Sequence, residues 1–106
     1  MIKLKQECGV TDISLFNAKA LVAMFGNPSK VTLHSMRDAT EQNVIASWDF
    51  GGGAGIDHTF SGFSWGYGGE GPRGLYKFFR MIGYSIEMEF IAGLDQKITN
   101  YSIDVS

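Results

Sequence analysis

The chain is poor in the residues that usually announce chemistry or compartment: it has one cysteine, Cys8, two histidines and two prolines in 106 residues. A single cysteine excludes an intrachain disulfide and a zinc site built on several thiolates, and it suits a reducing compartment, so a cytoplasmic location is expected. Charge is also scarce, with 19% of residues charged and a net charge of −2. Nucleic-acid binders carry a basic excess, and this chain has none, so no nucleic-acid partner is expected. No apolar run approaches the roughly 18 residues of a membrane-spanning helix. The opening "MIKLK" lacks the charged head and long apolar stretch of a secretory signal. A soluble protein without a membrane partner is therefore expected. Splitting so short a chain would leave two cores too small to sustain themselves, which predicts one domain over residues 1–106.

What the chain does have is apolar side chains, 44% of the total, in patterns that change along its length. "TDISLFNAKALVAMFGNP" reads as a helix with Thr11 or Asp12 as N-cap, Gly26 as its stop and Pro28 just beyond. Ile13, Phe16, Ala20 and Met24 share one face, but Leu15, Val22 and Phe25 lie on other sides. A helix apolar nearly all round is either deeply buried, or a misread strand, or gives a second face to a partner subunit. "KVTLHSM" and "NVIASWDF" are strand-like and joined by the polar "RDATEQ", a hairpin pattern. In the second, Val44, Ala46, Trp48 and Phe50 are expected to face the core. "PRGLYKFFRMIG" places Leu75, Phe78, Phe79 and Ile82 at i, i+3, i+4 and i+7, with Arg73, Lys77 and Arg80 opposite. The spacing predicts a helix from Pro72 to Gly83 with the apolar set turned inward. "YSIEMEFIAGL" alternates Tyr84, Ile86, Met88 and Phe90 against Glu87 and Glu89, and with "KITNYSIDVS" it reads as a closing hairpin. "IKLK" supplies an edge strand guarded by lysines. The order β-α-β-β-loop-α-β-β predicts an α+β two-layer sandwich, a mostly antiparallel sheet with two helices on one face.

Residues 51–71, "GGGAGIDHTFSGFSWGYGGEG", hold nine glycines together with Phe60, Phe63, Trp65 and Tyr67. The aromatics exclude a flexible linker. A strand-like "IDHTFSGFSW" docking alternate rings on the core, with glycines supplying turns on either side, accounts for the composition. The glycines between Gly66 and Gly71 are expected in turns closed to residues with a Cβ, with Trp65 and Tyr67 as anchors. Gly62-Phe63-Ser64-Trp65-Gly66 matches G-x-S-x-G, the nucleophile pattern of serine hydrolases. That chemistry needs Ser64 on a sharp strand-to-helix turn and a base within reach, whereas His34 and His58 both precede it and the next helix starts several residues on. A structural turn outweighs the catalytic reading. The glycines from Gly66 to Gly71 leading into a helix also suit an anion, but there is no G-K-[ST], and Glu70 stands where a phosphate would sit. His34, His58, Asp49 and Asp57 lack the spacing of metal ligands, and nothing places a base beside Cys8. Neither a metal nor a cofactor is expected. Arg73, Lys77 and Arg80 form a basic stripe of the kind an amphipathic helix shows to solvent.

"FSWGYGGEGPRGLYKFF" resembles the W-G-Y-G-G-x-G-P-x-x-L signature of small, uncharacterised bacterial and phage-associated domains, in which the motif also leads into an amphipathic helix. The resemblance spans residues 63–79, about a sixth of the chain, and touches Trp65, Gly66, Tyr67, Gly68, Gly69, Gly71, Pro72 and Leu75. It implies a mobile-element origin, of the gene-cassette type, and no particular activity. The expected function is a non-catalytic binding or interaction module that self-associates as a homodimer and serves as accessory cargo of a mobile element. The alternative is a small-molecule or anion site, conceivably enzymatic, between the loop and the second helix. In either case the candidate binding residues are Asp57, His58, Trp65, Tyr67, Gly68, Gly69, Glu70 and Arg73.

Overall fold

The computed structural model describes residues 2–6, 9–35, 42–98 and 100–105. Along the chain run β1 (Ile2–Lys5), α1 (Thr11–Phe25), β2 (Lys30–Ser35), β3 (Gln42–Gly51), β4 (Ala54–Phe60), α2 (Glu70–Met81), α3 (Met88–Gly93) and β5 (Tyr101–Asp104). The strands form one sheet in the order β1-β4-β3-β2-β5, antiparallel except where β1 runs parallel to β4. The architecture is the α+β sandwich that the pattern predicts. Cys8 and the whole loop between β2 and β3, residues 36–41, lie outside the described residues.

Register decides which face of the sheet is core. Leu4, His58, Ala46, Val31 and Ile103 stand side by side across all five strands, flanked by rows holding Ile56 with Trp48 and Phe60 with Val44 and Leu33. These strand residues, with the exception of Leu4 at the edge, are buried. The neighbouring row on the opposite face is Lys3, Asp57, Ser47, Lys30 and Asp104, in which Lys3, Lys30 and Asp104 meet solvent. A period of two thus puts the apolar residues under the helices and the charges outside. The turn from β3 to β4 uses Gly51, Gly52 and Gly53, all with positive φ, and the Asp49 carboxylate accepts the Gly51 N–H at 2.9 Å. Phe50, expected in the core, is exposed, because the strand is irregular between Asp49 and Gly51. It meets the ring of Phe25 at 5.6 Å.

α2 follows expectation: Leu75, Phe78, Phe79 and Ile82 are buried, and Arg73, Lys77 and Arg80 are exposed. It begins two residues before Pro72, with Gly69 as N-cap and Glu70 in its first turn. α1 departs from expectation at its N-cap, and of the readings open for its apolar surface neither deep burial nor a strand holds. Its N-cap is Val10, without a side-chain cap, because the Thr11 hydroxyl is turned to Gly62 instead. Its buried positions are Thr11, Ser14, Ala18 and Leu21, so Ile13, Phe16 and Met24 are left in solvent. Small inward residues let α1 lie close to α2, where the Thr11 methyl fills the space over Gly74.

The expected closing hairpin is absent. Residues 88–93 form the helix α3, and β5 pairs with β2, making three helices among the described residues. Burial keeps the alternation from Tyr84 to Glu89, with Tyr84, Ile86 and Met88 half-buried between exposed Ser85, Glu87 and Glu89, but the segment joins no strand and enters α3 at Met88; Ile91, Leu94, Tyr84 and Ile86 pack on the core. Phe90, on the apolar side of the supposed strand, is exposed.

The core centres on rings. Phe60, Phe63 and Phe78 lie within 5.5 Å of one another, and Phe79 meets Phe78 at 6.1 Å and Tyr84 at 5.5 Å. Phe79→Ala removes a fully buried ring joining α2 to the segment leading into α3, and should cost roughly 3–5 kcal/mol. Denaturant titration checks this, and a loss under about 1 kcal/mol would contradict the packing described.

Candidate functional site

The G-F-S-W-G segment is held by hydrogen bonds from four directions. The Gly62 N–H donates to Ser14 Oγ at 2.9 Å, and its carbonyl accepts from Thr11 Oγ1 at 2.8 Å. Ser14 Oγ in turn donates to Gln6 Oε1. Three residues on, the Trp65 N–H donates to Gln42 Oε1 at 3.2 Å and the indole N–H to the Asp95 carbonyl at 3.0 Å. Gln42 Nε2 bonds the carbonyls of Trp65 and Gln96, at 3.3 and 3.2 Å. Gly66 donates to the Ile91 carbonyl at 3.0 Å and accepts from Gln96 Nε2 at 3.1 Å. Phe63 and Trp65 are buried between these ties. Burying two large rings from an irregular segment requires its backbone groups to find partners, and α1, β3, the end of α3 and residues 95–96 supply them.

Three glycines of the motif have distinct reasons to be glycine. Gly66 has φ +88°, and a Cβ there would meet the Gln96 side chain and the Leu94 carbonyl oxygen, the latter at 2.9 Å. At Gly69 a Cβ would stand 2.7 Å from the Tyr67 ring, and at Gly71 it would overlap Ser64 Oγ. Those two absences let the Ser64 and Tyr67 hydroxyls, 2.9 Å apart, rest against the first turn of α2. Gly68 differs: a Cβ would meet nothing within 4 Å, and its φ is not positive. The expectation of special turns from Gly66 to Gly71 therefore holds for Gly66 alone, and close approach explains Gly69 and Gly71.

Beside this segment lies a cleft of about 450 Å³, into which Thr11, Gln42, Ser64, Tyr67, Glu70 and Gly71 project or open. The N-termini of α1 and α2 both border it, through Thr11 and Glu70. The Thr11, Gln42, Ser64 and Tyr67 side chains are committed to bonds within the protein, and the Glu70 carboxylate is exposed. Of the sequence-predicted residues, Tyr67 and Glu70 line this cleft, while Gly68, Gly69 and Arg73 line a shallower groove beside it. Trp65 lies in the core. Asp57 and His58 sit on opposite faces of β4, so they do not act as a pair. The partner of the Ser64 hydroxyl is Tyr67, and neither histidine borders the cleft. Among the described residues no three His, Cys, Asp or Glu side chains are grouped as metal ligands would be. Thr11, Ser14, Gln42 and Gln96 escape sequence reasoning because their partners are distant along the chain. Only Ser14, a polar residue within an apolar helix, carries a signal.

No protein-family model, no curated protein and no solved structure matches the chain.

His58 is buried under the helices with its ring 4.4 Å from that of Phe60, and among the described residues neither ring nitrogen has a hydrogen-bond partner. Burial pushes its pKa below the ordinary value of 6.5. The unfolded chain therefore takes up the proton more readily, and this contribution to stability is full above 6.5 and lost as pH falls below it. Denaturant titrations at neutral and mildly acidic pH should show a larger drop for the wild type than for His58→Leu. Equal drops would contradict the desolvated imidazole. The glycine assignments make a separate prediction: Gly71→Ala should cost about 1–3 kcal/mol by overpacking, and Gly68→Ala should stay within about 0.5 kcal/mol. Equal losses in denaturant titration would contradict the distinction.

Proposed function

We propose that the protein is a non-catalytic binding module that works as a self-associated pair, with α1 as the contact between copies. The observation that carries this is the outer face of α1, where Phe16 is 74% and Met24 65% exposed and Ile13 lies beside them. Leu15 and Val22, two further apolar positions of the helix, are half-buried against the core and are not the contact. An antiparallel two-fold pairing about the middle of the stripe sets Phe16 against the partner's Ala20 and Ile13 against the partner's Ala23, large side chains into the room left by small ones. Such a stripe on a chain this small is the kind of surface that association covers. The likeness of the W-G-Y-G-G segment to phage-associated domains supports an accessory role in a mobile element.

A second reading is favoured by the cleft at Ser64, Tyr67 and Glu70, whose volume suits a small polar molecule. Its fixed hydroxyls and amides offer a rigid wall rather than reactive groups.

Light scattering coupled to size exclusion tests the first reading. The expected result is a dimer mass at micromolar concentration for the wild type and a monomer mass for Phe16→Lys, with an unchanged near-UV circular dichroism spectrum. A monomeric wild type, or a dimer indifferent to Phe16→Lys and Met24→Lys, would overturn it.

A further inference from the structure

The exposed face of α2 is bordered by three shallow compartments that run into one another. The first and the central share Arg73 and Met88, and the central and the last share Tyr76 and Arg80. Together they make a groove between α2 and the segment carrying α3, about 20 Å long by the rise of the helix. That length suits about six residues of extended chain. The central compartment, of about 500 Å³, is walled by Arg73, Lys77 and Arg80 with Tyr76 and Met88. Arg80 is steadied over the Tyr76 ring at 5.8 Å. Among the described residues, Arg73 and Lys77 have no hydrogen-bond or ion-pair partner for their side chains. Three cations thus surround an apolar floor in a protein whose net charge is −2.

We propose that this groove docks an extended peptide segment of another protein, with acidic side chains in its middle and an apolar side chain seated on Tyr76 and Met88. Charge complementarity selects the occupant. The cations are concentrated in the central compartment, whereas Glu89 borders the first and Glu87 the last. A ligand charged uniformly along its length, such as a nucleic-acid strand, would meet those carboxylates at both ends. A peptide with its acidic residues confined to the centre does not. Carboxylates are well matched by arginine forks, and the apolar floor supplies the burial that anchors such segments. The groove shares no residue with the exposed stripe of α1, so it stands or falls apart from self-association.

The test is selection of a random twelve-residue peptide display library on the full chain, followed by titration of the enriched peptides as synthetic probes. The expected peptides carry Asp or Glu beside an aromatic or aliphatic residue. They should bind at least about tenfold more weakly to Arg73→Glu/Lys77→Glu and weaken as salt rises. Tyr76→Ala should weaken them at constant charge, with the thermal midpoint of each variant confirming that it folds. No enrichment, enriched peptides without acidic residues, binding indifferent to the charge reversal, or displacement by an oligonucleotide of matched charge at lower concentration would each overturn the proposal.

Discussion

The fold depends on how five residues of irregular backbone, 62–66, are tied down. Phe63 and Trp65 enter the core from this segment, and a buried ring brings its own peptide groups with it. Each unpaired group would cost a sizeable part of a small domain's stability, about 1–3 kcal/mol. Ser14 and Thr11 close one end of the segment onto α1, and Gln42, Asp95, Gln96 and Ile91 close the other onto β3 and the stretch around α3. Elements far apart in sequence are joined through these five residues. The G-x-S-x-G spelling follows from that duty, since Gly62 abuts the Val10 carbonyl and Gly66 needs a positive φ.

That tie determines which surfaces are free. Turning Thr11 and Ser14 inward to reach Gly62 rotates Ile13, Phe16 and Met24 outward, so the apolar stripe on α1 is the other side of the same arrangement. Packing Phe78 against Phe63, with Leu75 and Phe79 buried on the same face, likewise turns Arg73, Lys77 and Arg80 outward, beside the groove. The cleft at Ser64 and Tyr67 lies between, with its hydroxyls and amides already bonded. The apolar stripe and the cations left in solvent therefore both lie on helical faces, and the 62–66 segment supports them from beneath.

Much of this was legible in the chain. α2 could be read because its apolar spacing and its cations agree on one orientation, and β2 and β3 because alternation and turn residues agree. α1 could be placed but not oriented. Its apolar residues surround the axis, and the choice of inward face rests on two hydroxyls whose partner lies some fifty residues away. The segment 84–90 has a period of two that its burial follows, yet it pairs with no strand, because its last residues enter α3 and the available edge of β2 is taken by β5. The glycine-aromatic stretch could be singled out in the chain, but not the packing duty of each of its residues. A sequence shows that glycines and aromatics cluster, and only the packing shows that Gly69 and Gly71 make room for side chains while Gly68 does not.

If the tie at 62–66 is the constraint on which the rest depends, it cannot open without the whole domain opening. Native-state hydrogen exchange measures this residue by residue. The Trp65 and Gly66 amides and the Trp65 indole N–H should exchange only through global unfolding, with the same opening free energy as Val31 and Val44 in the central strands. Exchange of those three protons through a local opening well below that value, with β2 and β3 still protected, would contradict it.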